Sequence, residues 1–128
     1  MQSIPFTKAQ VESLANEHPT PFYLYDEAGM RQQTKKLTEA FSWNAGFKEY
    51  YSVKALPNPA ILQILKEEGC GMDCSSLPEL LLSDRVGVKG EEIMFSSNDT
   101  PADEFIEAKK RGAIINLDDV GHLEFLEK

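Results

Sequence analysis

Tyr50-Tyr51-Ser52-Val53-Lys54-Ala55-Leu56-Pro57-Asn58-Pro59 is the stretch on which the fold turns. Its opening residues are aromatic, small or β-branched with no Gly or Pro among them, which is strand chemistry. Pro57 and Pro59 forbid further ladder pairing, while Asn58 is a good helix cap and Pro59 suits the first helical position. A strand therefore hands over directly to a helix. The period of two puts Tyr51 and Val53 on one face and Tyr50, Ser52 and Lys54 on the other. Lys54 thus emerges where the strand stops, and in α/β proteins the carboxyl ends of strands are where ligands are handled.

The same unit recurs downstream. Strands are predicted at Tyr50–Val53, Gly71–Cys74, Ile93–Phe95 and Ala113–Leu117, each followed by a helical pattern, over 59–68, 77–85, 101–111 and 119–127. Upstream, residues 8–17 read as a short helix, Phe22–Tyr25 as an additional strand set off by Pro19 and Pro21, and Glu27 to Phe41 as a long helix. Gly69 and Gly112 fall where helices should end. Ser76-Leu77-Pro78-Glu79 matches a capping box, and Thr100-Pro101-Ala102-Asp103 is a close variant. Alternating strands and helices imply a parallel α/β sheet. Four βα units amount to the first half of a (β/α)8 TIM barrel, or most of a small open sheet. No Gly-x-Gly-x-x-Gly fingerprint or P-loop lies at the strand-to-helix turns, which removes support for the common nucleotide-binding sheets.

Composition narrows the function classes. The 128 residues suffice for one ordinary domain, and 41% hydrophobic with 27% charged residues are globular values. A formal charge of -8 disfavours nucleic acid or an anionic membrane as partner. The N-terminus lacks the basic start and apolar stretch of a secretory signal, and no segment has the length to span a bilayer. Cys70 and Cys74 are too few for a disulfide framework and lack the usual zinc spacing, so no metal is expected and both read as core residues of a protein in the reducing cytoplasm.

If the strands are parallel, one edge collects Lys54, then Asp73 with Cys74 and Ser75, then Ser96, Ser97 and Asn98, then Asp118. Taken singly, each is a cap or a turn residue: Asp118 or Asp119 would cap the last helix, and Glu79 would complete the box with Ser76. Taken together, they surround a lysine. A lysine sheltered at a barrel mouth gives up its proton more easily, and the neutral amine attacks a carbonyl to form a Schiff base, with Asp73 to orient it.

The segments Tyr51 to Pro59, Gly69-Cys70-Gly71-Met72-Asp73-Cys74-Ser75-Ser76 with Glu79-Leu80, and Ile93-Met94-Phe95-Ser96-Ser97-Asn98 resemble, in order and spacing, the N-terminal part of the diaminopimelate decarboxylases. That family belongs to the alanine-racemase-like pyridoxal-phosphate enzymes, with the ornithine and arginine decarboxylases. The resemblance implies that Lys54 holds pyridoxal phosphate as a Schiff base, that Asp73 and Glu79 are acidic positions near the cofactor and its lysine, and that Asn98 lines the barrel mouth. It implies residues 1–26 as an N-terminal segment whose Phe22–Tyr25 strand joins a C-terminal β domain, and 27–128 as the N-terminal half of a pyridoxal-phosphate barrel. It also implies a homodimer and, as reaction, decarboxylation of meso-diaminopimelate to L-lysine.

One departure stands out, because many relatives have Lys-Ala-Asn where this chain has Lys54-Ala55-Leu56, and Asn58 is expected to replace the missing amide. The phosphate site and the ring-stacking histidine of the family are expected beyond Lys128. His18 does not occupy that position, and His122 is expected at the surface of the last helix. The expectation is therefore half a barrel with open edges on Tyr50–Val53 and Ala113–Leu117. Alternatives are a decarboxylase of D-lysine, D-ornithine, ornithine or arginine, a non-catalytic pyridoxal-phosphate carrier on the same barrel, and an acidic interaction domain in which Lys54 is incidental.

Overall fold

The computed structural model describes residues 4–127. Two helices come first. Helix α1 (Lys8–Glu17) begins at a capping box of Thr7 and Gln10 and buries none of its residues. Helix α2 (Glu27–Ala40) buries only Thr34 and is fastened to its neighbour by Arg31, whose guanidinium reaches Glu67 at 2.7 Å and Glu68 at 2.9 Å.

Then the βα unit repeats: β1 (Tyr50–Ser52) and α3 (Pro59–Glu67), β2 (Gly71–Cys74) and α4 (Leu77–Arg85), β3 (Ile93–Ser96) and α5 (Ala102–Lys110), β4 (Ile114–Asn116) and the short α6 (His122–Leu126). All three strand pairings are parallel and join sequence neighbours, in the order β1-β2-β3-β4. This is the arrangement of four consecutive units of a (β/α)8 barrel. Among the described residues, β1 and β4 each keep one unpaired edge, as expected of half a barrel.

The joints follow the expected local chemistry. The Asn58 side chain accepts from the Ala60 N–H at 2.9 Å and Pro59 opens α3. Gly69 and Gly112 take φ of 92° and 71° just past α3 and α5, a left-handed backbone that only glycine adopts without strain.

Register sorts the sheet into two faces. Paired rows place Ser52 beside Asp73, Asp73 beside Met94, and Ser96 beside Asn116 on one face, which we call inner. The alternating residues Met72, Cys74, Ile93 and Phe95 point to the outer face, where they are fully buried under the helices with Leu62, Leu80, Val88 and Phe105. Phe95 meets Phe105 of α5 edge to face at 5.7 Å. The apolar core therefore lies outside the sheet, between strands and helices.

The structure departs from the sequence expectations in several places. Phe22–Tyr25 is not a strand. Its residues have strand chemistry, but a strand exists only against a partner, and none of β1 to β4 pairs with it. Tyr23 instead stacks on Tyr25 at 6.2 Å and stays exposed. β1 stops at Ser52 because Val53–Ala55 winds into a 3₁₀ turn, and β4 is confined to Ile114–Asn116. A second 3₁₀ turn, Gly90–Glu92, precedes β3. Helix α5 starts after Pro101 with no side-chain cap, so Thr100 does not close the expected box. No helix among the described residues is long and apolar enough to cross a membrane.

Candidate functional site

The 3₁₀ turn that ends β1 decides where Lys54 goes. Val53 turns into the outer core and is fully buried, which leaves Lys54 on the opposite side, exposed, just beyond the carboxyl end of the strand. The shelter expected for this lysine is not provided by the four strands.

Asp73 lies in the row of Ser52, on the inner face and half-buried. Its Oδ1 is buried and has no hydrogen-bond partner among the described residues. Burial holds its carboxyl above the usual aspartate range, against the pull of the Lys54 ammonium and with a further push from Glu79. Two residues further along the sheet, the Asn116 amide donates to Ser96 Oγ at 3.2 Å and to Asp118 Oδ1 at 3.1 Å. Ser52, Asp73, Ser96 and Asn116 thus form a polar strip on the inner face, with Lys54 at one end.

Glu79 does something different from the expected box. Its carboxylate accepts from the Ser75 N–H at 3.0 Å and the Ser76 hydroxyl at 2.9 Å, so it binds the β2–α4 loop, while Ser76 makes no side-chain cap bond. Asn98 is exposed in the bend after β3, and none of the strip's hydrogen bonds reaches it. The Asn58 side-chain oxygen caps α3, accepting from the Ala60 N–H. Leu56 packs instead into the small apolar cluster of Ile61, Leu65 and Cys70 on the outer side.

The remaining candidates are structural. Asp119 accepts from the Gly121 N–H in a local turn, and α6 has no side-chain cap. His122 is half-buried against Phe105 at 6.4 Å, contrary to the expected surface position, because the short α6 folds back onto α5. Cys74 is fully buried 3.2 Å from Ser83 Oγ, and burial pushes its thiol up to about 11, which leaves it unreactive. Cys70 is likewise buried and raised. A hollow of about 950 Å³ lies between α2 and the outer side of β1 and includes none of Lys54, Asp73, Glu79 or Asn98.

Sequence reasoning missed Asn116 and Glu104. Asn116 was readable, since Ile114-Ile115-Asn116 repeats the alternation of Met94-Phe95-Ser96 one strand later. Glu104, which accepts from the Leu77 N–H at 3.0 Å, joins positions 27 residues apart and left no local signal.

What the strip offers is one exposed primary amine, a carboxyl with an unengaged oxygen, and a hydroxyl and an amide in a hydrogen-bonded pair. An aldehyde-bearing polar cofactor fits this donor set: the amine can bind the aldehyde covalently, and the orphaned Asp73 oxygen can accept one hydrogen bond.

Comparison with known proteins points the same way. Residues 27–128 match the family described as pyridoxal-dependent decarboxylase, pyridoxal binding domain. The chain is 44% identical over 114 residues to Protein TabA of Pseudomonas amygdali pv. tabaci, a match covering 89% of this chain and 27% of that protein. It is 35% identical over 111 residues to the diaminopimelate decarboxylase of Methanothermobacter thermautotrophicus, covering 86% of this chain and 26% of that one. The crystal structure of diaminopimelate decarboxylase from Helicobacter pylori complexed with L-lysine superposes with a TM-score of 0.77 at 31% identity, over 91% of this chain and 30% of that one. The chain spans about a quarter of the length of the curated relatives it matches.

Proposed function

The chain belongs to the pyridoxal-dependent decarboxylase family, and from that premise we propose that it carries the cofactor lysine of an enzyme that removes the α-carboxylate of an amino acid, meso-diaminopimelate being the first choice. The observation that carries the proposal is the placement of Lys54 at the carboxyl end of β1, on the side of the sheet that holds the half-buried Asp73. When bound, pyridoxal phosphate supplies the electron sink for the bond that breaks.

The residues of this chain do the rest of what these four units contribute. Lys54 supplies the amine that anchors the cofactor aldehyde. Asp73 faces the ammonium as a counter-charge and offers Oδ1 to a donor on the ligand. Ser96 and Asn116 fix the polar level of the inner face, and Asn98, exposed beyond β3, is the residue this reading puts at the mouth of the site. Glu79 acts through the loop it binds. A homodimer in the cytoplasm is the assembly and compartment this reading expects.

The relatives named diaminopimelate decarboxylase support the substrate. The relative at 44% identity carries a different name, which keeps another basic or diamino acid as the second reading. Incubation with pyridoxal phosphate, borohydride reduction and peptide mapping tests the site: the pyridoxyl group should fall on Lys54. Labels spread evenly over the lysines would remove the support. Release of CO₂ from meso-diaminopimelate, D-lysine or D-ornithine by the full polypeptide then decides the substrate.

A further inference from the structure

Three consecutive residues after β2 give their hydrogens to two carboxylates. The Ser75 N–H and Ser76 O–H go to Glu79 at 3.0 and 2.9 Å, and the Leu77 N–H goes to Glu104 at 3.0 Å. Glu79 belongs to the helix that follows the loop, whereas Glu104 crosses from the first turn of α5 to the first residue of α4. Both contacts are partly buried, so the loop loses satisfied donors if either carboxylate is removed. Asp73 sits two residues before Ser75, separated from this loop by Cys74, with Oδ1 buried and unpartnered. Its backbone is held by the pairing of β2 with β1 and β3, and the loop that follows sets how the end of that strand is covered.

We propose that Glu104 is a positioning residue for the site: with Glu79 it clamps the loop Ser75–Leu77, and the clamp holds the Asp73 carboxyl on the inner face beside Lys54. The inference rests on the reading of Lys54 and Asp73 as a cofactor site. It adds that the third βα unit, through α5, controls the acid contributed by the second. The charged groups that face Asp73 are Lys54 and Glu79. Glu104 acts on it through the Leu77 N–H.

The test compares Glu104→Gln, Glu104→Asp and Glu104→Ala in the full chain. Glutamine keeps an acceptor oxygen at the same reach and loses the charge, aspartate keeps the charge and loses the reach, and alanine loses both. The readout is the ¹³C titration of the Asp73 carboxyl without cofactor. The clamp predicts the unaltered midpoint in Glu104→Gln, and a lower one, nearer an ordinary aspartate, in Glu104→Asp and Glu104→Ala, as the slack loop admits water to Oδ1. A midpoint that moves in Glu104→Gln, or that stays in Glu104→Asp, overturns the proposal. If Glu104→Ala does not fold, the other two variants decide alone.

Pyridoxyl labelling of Lys54 should fall several-fold in Glu104→Asp and hold in Glu104→Gln, with labelling of other lysines unchanged. Equal labelling in both variants also overturns the clamp. Failure of the unaltered chain to label Lys54 would count against the cofactor reading, while the Asp73 titration would still judge the clamp.

Discussion

The two faces of one sheet have opposite characters. On the outer face Met72, Cys74, Ile93 and Phe95 are closed over by helices and have no exposed surface. On the inner face, one residue away along the same strands, lie Asp73 with an unpartnered oxygen, Ser96 and Asn116 in a hydrogen-bonded pair, and Ile114 still 37% exposed. The difference separates two tasks. Folding of these four units is driven by the outer face, where apolar area leaves water. The inner face contributes little to that and is free to hold groups whose value is chemical.

The sharpest way to break this division is to truncate neighbours on opposite faces. Phe95→Ala removes a fully buried ring that packs on Phe105 and should cost about 3–5 kcal/mol, enough to unfold much of the chain. Ser96→Ala, the next residue, gives up one acceptor on an open surface and should cost about 1 kcal/mol or less. Urea denaturation of both variants gives the comparison, and similar costs would mean that the inner face carries as much of the stability as the outer one.

A smaller effect tests a closely packed place on the inner face. A Cβ at Gly71 would lie 2.6 Å from the Tyr50 ring and 2.7 Å from the Glu92 carbonyl oxygen, and the Tyr50 hydroxyl is tied to the Glu91 carbonyl at 2.7 Å. Gly71→Ala should therefore cost about 1–3 kcal/mol. In a Tyr50→Ala background the ring no longer obstructs, so the penalty should shrink without vanishing, because the Glu92 backbone stays. An undiminished penalty would place the strain wholly in the backbone.

Most of the outer face was legible in the sequence, because burial imposes a period: Ile61, Leu62 and Leu65 mark α3, and Ile93 with Phe95 mark β3. The glycines and Asn58-Pro59 marked the joints for reasons of backbone freedom and capping. Phe22–Tyr25 has strand chemistry but forms no strand among the described residues, because strand chemistry is necessary and not sufficient, and the partner that the resemblance implies, in a β domain, is not one of β1 to β4. The site was legible only in part. Lys54 and Asp73 could be placed at strand ends by counting, but the 3₁₀ turn that exposes Lys54, the Glu79 bond that skips back to Ser75, and the reach of Glu104 to Leu77 depend on how separate units meet in space.

Charge reversal with pH separates the faces again, with a smaller effect. The Asp73 carboxyl is raised by burial, so the folded chain takes up its proton more readily than the unfolded one. Its contribution favours folding below the ordinary aspartate value of 3.8 and is lost as pH rises through the raised midpoint. Glu67 and Glu107, on the helices, are lowered by bonds from Gln63 and Lys110, so their contributions are present above 4.5 and are lost as pH falls through the lowered midpoints. Asp73→Asn should flatten the decline above pH 4 and raise the melting temperature slightly at pH 7, while weakening cofactor capture. A melting temperature that falls at pH 7 would show that the ionised Asp73 stabilises the fold, and the inner face would then share the outer face's task.

The smallest effect on stability should come from the residue with the largest effect on chemistry. Lys54 is exposed and makes no hydrogen bond or ion pair with the described residues, so Lys54→Ala should change the folding free energy by no more than about 0.5 kcal/mol. Its loss also removes the ammonium that faces Asp73, which should raise the Asp73 midpoint further. Pyridoxyl labelling at position 54 must vanish, and labelling elsewhere should stay as it was. If Lys54→Ala instead cost as much as a core truncation, the lysine would be part of the scaffold, and the separation of folding from chemistry across this sheet would fail at its most exposed point.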